Sequence, residues 1–467
     1  MIIKHNLISI PENNIFKNDK LNRRPIIQNL SKFVANTSEP LSLAINAKWG
    51  DGKTTFIRLW KEYLKKESEI QSIYFNAWEY DYSNEPLILL IGELNKFIKS
   101  NYQQDEEVKS KFQEIKETGT KIIIKALPAF VSGATGGFLK IDEGFEHALS
   151  ALSEETVKTL INNYSEEKDI IEEFQTQIRQ LLEKIAQDKP FIIFVDELDR
   201  CKPIFAISLL ERIKHVFGID GLIFVFSIDK IQLIESIKSQ YGNIDGENYL
   251  KRFFDLEYSL PLPDKEMFCD YLNEYYDWSN LFHRRKINDF IHRVNHLEMV
   301  KYLSKSLDLS LREIEKIFLY TDLVYKTLPE HAFEVLLRMF IFYITIKIKN
   351  EKLYNSLVNK KEPPEYFLEI LIKENLVDDY GDTPKITVFI EALVYLTVLN
   401  QIDIDKLVVN KKNELEKLLQ ENSNRENIDK LERLIFLLTE RVYDFNRLRD
   451  FIPLVINSIE FSSSFNV

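Results

Sequence analysis

Leu41-Ser-Leu-Ala-Ile-Asn-Ala-Lys-Trp-Gly-Asp-Gly-Lys-Thr-Thr55 decides the fold of this 467-residue chain. An apolar, strand-like run ends at Asn46, and a loop then delivers Gly50, Gly52, Lys53 and Thr54. The residues from Phe56 to Lys65 have apolar positions at helical spacing. Strand, glycine loop and helix in that order form a Walker A phosphate loop. Gly50 and Gly52 let the backbone curl so that N–H groups point inward at phosphate oxygens. Lys53 would neutralise the β- and γ-phosphates of ATP, Thr54 would hold Mg²⁺, and the helix N-terminus adds partial positive charge. Trp49, Asp51 and Thr55 complete the cofactor-binding loop. The first loop position is Ala47, where the pattern usually has Gly.

A second stretch completes the site. Phe191-Ile-Ile-Phe-Val195 is the continuous apolar run of a strand buried on both faces of a parallel sheet, and Asp196-Glu197 follow at once. Carboxylates at the C-terminal edge of such a strand sit where these sheets bind ligands. Asp196 would hold Mg²⁺ through water, and Glu197 would polarise the attacking water. This is a Walker B with a catalytic-type glutamate.

Composition fits a globular protein of two or three domains: 45% hydrophobic, 29% charged, with 13 Gly and 14 Pro. A formal net charge of −12 gives no global sign of a nucleic-acid partner, although a local basic groove stays open. Cys201 and Cys269 suit a reducing compartment. The apolar part of the first seven residues is too short for a signal peptide, so the expectation is a cytoplasmic protein.

Along the chain, Asn18–Ile26 precedes a helix from Ile27 to about Val34. Asp19, Leu21 and Arg23 are candidate neighbours of the base or phosphates, against a solvated N-terminal loop. Gln71–Glu79 reads as a second strand ending in Asn76, Trp78 and Glu79, with Trp78 in a packing role. About 140 residues separate the Walker motifs, more than one crossover needs, so about 95–185 is an insertion of charged helices over 106–117 and 154–186. Its uncharged centre, 126–139, holds Pro128 and three Gly and falls short of a bilayer span. It reads as a mobile or interface loop, with a membrane-touching hairpin as the alternative.

Helices follow over 204–216 and 231–240, a buried strand over 221–229 with Ser227 and Asp229 at its polar end, and a last strand over 256–263. From 264 onward the pattern is helical throughout, and 340–346 is bundle core. The cluster His283-Arg-Arg-Lys286 reads as a solvated helix face rather than a nucleic-acid contact. His292 and His296 have the spacing to share a metal on a helix, but no third ligand is near.

Five stretches together resemble the KAP family of P-loop NTPases: Asp19–Arg23, Trp49–Thr54, Phe75–Glu79, Asp196-Glu-Leu-Asp-Arg-Cys201 and Tyr249–Phe253. The resemblance spans about residues 10–320. It implies an α/β P-loop core of the additional-strand type with a mostly parallel sheet, related to AAA+ and STAND proteins. It also implies a large helical insertion and an all-helical C-terminal region. The expected divisions are 1–94 and 186–263 for the core, 95–185 for the insertion, 264–325 for a lid and 326–467 for a C-terminal helical domain. The family often carries transmembrane helices in the insertion; the short apolar centre here argues against membrane association. Related architectures imply that Arg252 is an arginine finger offered to a neighbouring subunit, with Lys251 competing for that role, and that Arg312 is a sensor-2 arginine. They imply homo-oligomers or partner proteins from the same operon. Bacterial members are frequently parts of anti-phage defence, such as the KAP component of Qat-type systems.

The expected protein is therefore a Mg²⁺-dependent ATPase coupling nucleotide state to assembly or to control of a partner. Its rivals are a nucleotide-dependent switch with little hydrolysis, a nucleic-acid-stimulated ATPase and a membrane-associated regulator.

Overall fold

Strands whose two faces are both apolar need a layer of helices on each side, and the chain supplies both. The computed structural model describes residues 10–11, 13–83, 85–134, 154–278, 296–325, 333–376, 384–421, 425–439, 441–442 and 446–463. The chain divides into two compact units, Asn6–Leu262 and Pro263–Val467. In the first, β1 (Leu41–Asn46), β2 (Ser72–Asn76), β3 (Phe191–Asp196), β4 (Leu222–Ile228) and β5 (Leu256–Ser259) form one all-parallel sheet in the order β2-β3-β4-β1-β5. This is the expected α/β class with an additional strand: β4 lies between the strand that feeds the phosphate loop and the strand that ends in the paired acids.

Alternation along the strands sorts the core. Leu43, Ile45, Ile192, Phe194, Ile223 and Val225 face α1 (Arg24–Ala35) and α2 (Lys53–Tyr63), where the Trp60 and Phe194 rings meet edge-on at 5.3 Å. Phe75, Ile193, Val195, Phe224 and Phe226 face the other way. That side is covered by α3 (Pro86–Asn101), α4 (Glu106–Ala134), α5 (Glu154–Ala186), α6 (Pro203–Val216) and α7 (Lys230–Tyr241). Each fully buried large apolar side chain contributes about 1.5–3 kcal/mol relative to an exposed one.

Three expectations need correcting. The first helix starts at Arg24, three residues early, because Pro25 suits the first turn and Asp19 accepts the N–H groups of Arg23 and Arg24 at 2.7 and 3.2 Å. The insertion is not a loop from residue 126: α4 stays helical to Ala134, the one N–H lost at Pro128 being a small part of a 29-residue helix, while 135–139 lie outside the described residues. The last sheet strand stops at Ser259, before the prolines, as their missing N–H groups require.

The second unit is helical. Its centre is α12 (Phe333–Lys349), reached after α8 (Gly246–Leu250) of the first unit, α9 (Lys265–Tyr275), α10 (His296–Ser306) and α11 (Leu311–Tyr325). It packs against α10, α11, α13 (Glu351–Val358) and the last helix, Leu448–Ser463. That contact on several sides explains why Phe340–Ile344 are all buried: a helix apolar all round is a core helix. Contrary to the all-helical expectation, Arg441–Val442 and Asn446–Arg447 pair as a short antiparallel ladder, too brief to show alternation in sequence. Among the described residues no helix is long and apolar enough to cross a membrane.

His296 is 8% exposed and meets the Trp278 ring at 5.5 Å; no metal-ligating cluster exists among the described residues, where His292 and residues 283–286 do not fall. Burial, and then the Arg338 cation, pushes His296 down to about 3. The unfolded chain takes up this proton below about pH 6.5 and the folded chain does not. Stability held through His296 at neutral pH should therefore be lost as pH falls from about 6.5 toward 3. At pH 5 the loss should be about 2 kcal/mol, at about 1.4 kcal/mol per pH unit. Urea denaturation of wild type and His296→Gln at pH 7.5 and pH 5 checks this; equal pH sensitivity in both would refute it.

Candidate nucleotide site

β1 ends at Asn46, and the loop Ala47–Gly52 turns over its carboxyl edge into α2. Gly50 and Gly52 have φ of 91° and 84°, left-handed values that other residues adopt only with strain. Lys53, Thr54 and Thr55 occupy the first helical turn, whose N–H groups have no intrahelical acceptor and face the loop's hollow. Lys53 is 9% exposed, and its Nζ donates to the carbonyls of Ala47 (2.8 Å) and Lys48 (3.2 Å).

Three neighbours brace the loop. The Trp49 indole N–H donates to Asp199, whose Oδ2 also accepts from the Asp229 amide at 3.0 Å and lies 4.0 Å from Lys53 Nζ. The Trp49 amide donates to Asp229 Oδ2 at 2.9 Å, and Asp229 Oδ1 accepts from Gln232 at the start of α7. From the far side, the buried Arg23 donates to the carbonyls of Asp51 and Pro261, both at 3.2 Å. Arg23 thus ties the loop to the exit of the last strand, and Asp19 caps the helix that carries it.

The paired acids lie two strands from the loop. Asp196, almost fully buried, accepts from Tyr74 Oη and from the Glu197 amide, both at 2.9 Å. Ser227 stands in register between Ile45 and Asp196, fully buried, with a hydroxyl that has no hydrogen-bond partner. Asp199 Oδ1 is likewise buried and unpartnered. Glu197 pairs with Arg200 at 2.9 Å.

The electrostatics point to an anion. Burial lowers the Lys53 pKa and raises that of Asp199, so for each group desolvation outweighs their attraction, which acts in the opposite sense. Phosphate oxygens beside Lys53 would supply the missing negative charge. The unpartnered Ser227 hydroxyl and Asp199 oxygen suit ordered water or the water shell of a cation. The residues therefore fit a nucleotide phosphate with a hydrated divalent cation.

The remaining predicted residues sit in other elements. Arg252 is exposed in the turn after α8, not in the helix itself, with its guanidinium 5.8 Å from the Tyr249 ring centre. Lys251 donates to Asn248 at 3.1 Å. Arg312 is exposed on the first turn of α11, in the second unit. Asn76 donates to Glu79 at 3.1 Å, and Trp78 is 50% exposed rather than packed inside. Sequence reading passed over Tyr74, Asp199 and Arg200. Tyr74 precedes Asn76 by two and so shares its strand face, and Asp199 follows Asp196 by three, one turn of the 3₁₀ segment Leu198–Arg200. Those spacings were the available signals.

The sequence pattern described as the KAP family P-loop domain matches residues 23–328. No curated protein matches the chain. Among solved structures, the Aeropyrum pernix ORC2 protein in its ADP form is 11% identical, over 85% of this chain and 96% of its own, with a TM-score of 0.31. Its ADPNP–ADP complexes are 11% identical, over 78% and 88%, also at 0.31. C. elegans PCH-2 is 13% identical, over 74% and 71%, at 0.29. Overlaps this slight bear on neither the site nor its partners.

Asp229 serves the loop with one oxygen and the helix with the other. Asp229→Ala should cost about 1–2 kcal/mol, the value of an N-cap plus a hydrogen bond, and Asp229→Asn clearly less. Thermal denaturation of the two variants checks the order; equal losses would remove the bracing role.

Proposed function

The chain belongs to the KAP family of P-loop domains, and on that premise we propose that its first unit binds ATP with Mg²⁺ and hydrolyses the γ-phosphate. One observation carries the reading: a buried, under-compensated Lys53 on a glycine loop shares one sheet edge with the Asp196–Glu197 pair. Gly50, Gly52 and Thr55 line the phosphate path with backbone N–H groups, Trp49 and Asp51 hold the loop's shape through their own amides on Asp229 and Lys48, and Lys53 neutralises the phosphate charge. Thr54 and Asp196 would hold Mg²⁺, with Tyr74 fixing the orientation of the Asp196 carboxylate. When bound, the metal supplies positive charge against the phosphate oxygens. Glu197 accepts a proton from the attacking water, and Ser227 helps to orient that water. Arg23 and Asp19 act through the loop and α1, as braces rather than ligands.

The wider reading is that turnover reports assembly. Arg252, exposed in the turn that leads into β5, is the finger offered to a second copy or a partner protein, in preference to Lys251, whose amino group is engaged by Asn248. Arg312 is the sensor from the helical unit. A cytoplasmic location rests on two free, buried cysteines, and a place in bacterial anti-phage defence rests on family resemblance alone. A switch with little turnover is the second reading, and the engagement of Glu197 by Arg200 favours it.

The test is ATP turnover of purified full-length protein with Mg²⁺. Glu197→Gln should lower the rate by about 10²–10³-fold while ATP still binds, as for loss of a general base. Lys53→Ala should instead lose nucleotide binding. Wild-type turnover persisting in Glu197→Gln would sink the hydrolytic role of this glutamate.

A further inference from the structure

The group that activates water is already occupied. Arg200 Nη1 lies 2.9 Å from Glu197 Oε1, and the two side chains are only 25% and 16% exposed. The Arg200 guanidinium rests over the Trp78 ring, 5.5 Å from its centre. The turn carrying Trp78 is fixed in its own right: the Trp78 amide donates to Asn76 Oδ1 at 3.1 Å, and Asn76 donates onward to Glu79. Glu197 itself has φ of 59°, a left-handed conformation that a non-glycine residue adopts at a cost. Its side-chain direction is thus set by the backbone at one end and by a seated guanidinium at the other.

We propose that Arg200 is a positioning residue that holds Glu197 in a resting orientation, so that turnover rises when the hold is loosened. This rests on the reading of Glu197 as the water-activating group. A general base needs a lone pair aimed at the water and an appetite for its proton. The Arg200 guanidinium occupies a Glu197 lone pair and holds the carboxylate turned toward itself. The pair is local, formed within the single 3₁₀ turn Leu198–Arg200, so it needs no nucleotide to assemble. It is partly solvated, and ion pairs of that kind are weak enough to open within a catalytic cycle.

The experiment compares full-length wild type, Arg200→Gln, Arg200→Lys, Trp78→Ala and Glu197→Gln. It measures kcat and KM for Mg·ATP, with the affinity of a fluorescent ATP analogue measured separately. Arg200→Gln should raise kcat about three- to tenfold, the net worth of one ordinary hydrogen bond, with KM within about twofold. Trp78→Ala should move kcat in the same direction by less, and Arg200→Lys, which keeps the charge, should return toward wild type. An unchanged or lowered kcat in Arg200→Gln overturns the proposal; if that variant does not fold, an unchanged or lowered kcat in Trp78→Ala does so. Should wild type bind the analogue but turn over nothing, activity appearing in Arg200→Gln supports the hold and continued silence overturns it. Failure of the underlying reading looks different: either no variant binds the analogue, or Glu197→Gln turns over like wild type.

Discussion

A lysine ammonium buried at the head of a helix, where desolvation outweighs the pull of the carboxylates around it, is the constraint on which this site depends. Lys53 is screened from water by the loop that wraps it, and two backbone carbonyls and one carboxylate 4.0 Å away take up its hydrogen bonds and part of its charge. Desolvation still dominates, for the cation and for Asp199 alike. A site in that condition is preorganised for an arriving anion, because the cost of burying the cation has already been met by the fold. The neighbours can be understood from this. Trp49, Asp229 and Arg23 keep the loop from relaxing around its own lysine, and β4 brings Ser227 into the gap between the loop strand and the acid strand.

Much of this was legible in sequence, for local reasons. Gly50 and Gly52 mark a backbone that must take positive φ, and Phe191–Val195 can only be a strand covered on both faces, so the loop and the acids are fixed by short-range chemistry. The bracing was not legible. Asp199 could face solvent, helix or loop from its position in the chain; only the folded sheet brings Trp49 and the Asp229 amide to it. Arg200 follows the paired acids in the chain, but its seat on Trp78 exists only because the ends of two neighbouring strands meet. Boundaries failed where one residue changes the local rule. Pro25 extends a helix backward, and Pro128 fails to end one. The ladder at Arg441–Val442 is two residues long, below the length at which alternation carries any signal.

The insertion shows how a long excursion can be accommodated without a second core. Val108, Phe112 and Ile115 of α4 and Phe174, Ile178 and Leu181 of α5 join the same apolar cluster as the strands they depart from and return to. Lys184 with Glu107, and Lys111 with Gln180, tie the two helices together along their exposed sides. The excursion is therefore anchored at its base, where the Walker B strand begins.

The order of the strands also fixes when the site can exist. Leu41 pairs with Ile223 and Leu43 with Leu256, while Ser72 waits for Ile192; of the sheet's neighbouring strands only β3 and β4 are also close in the chain. During synthesis the phosphate loop would leave the ribosome long before β4 and Asp199 are available to hold it. Its apolar strand would stay uncovered in the meantime. Chains built on such remote pairings fold slowly and expose sticky strands on the way. The nucleotide site is thus a late product of folding, and a ligand bound there would report a completed first unit rather than a partial one.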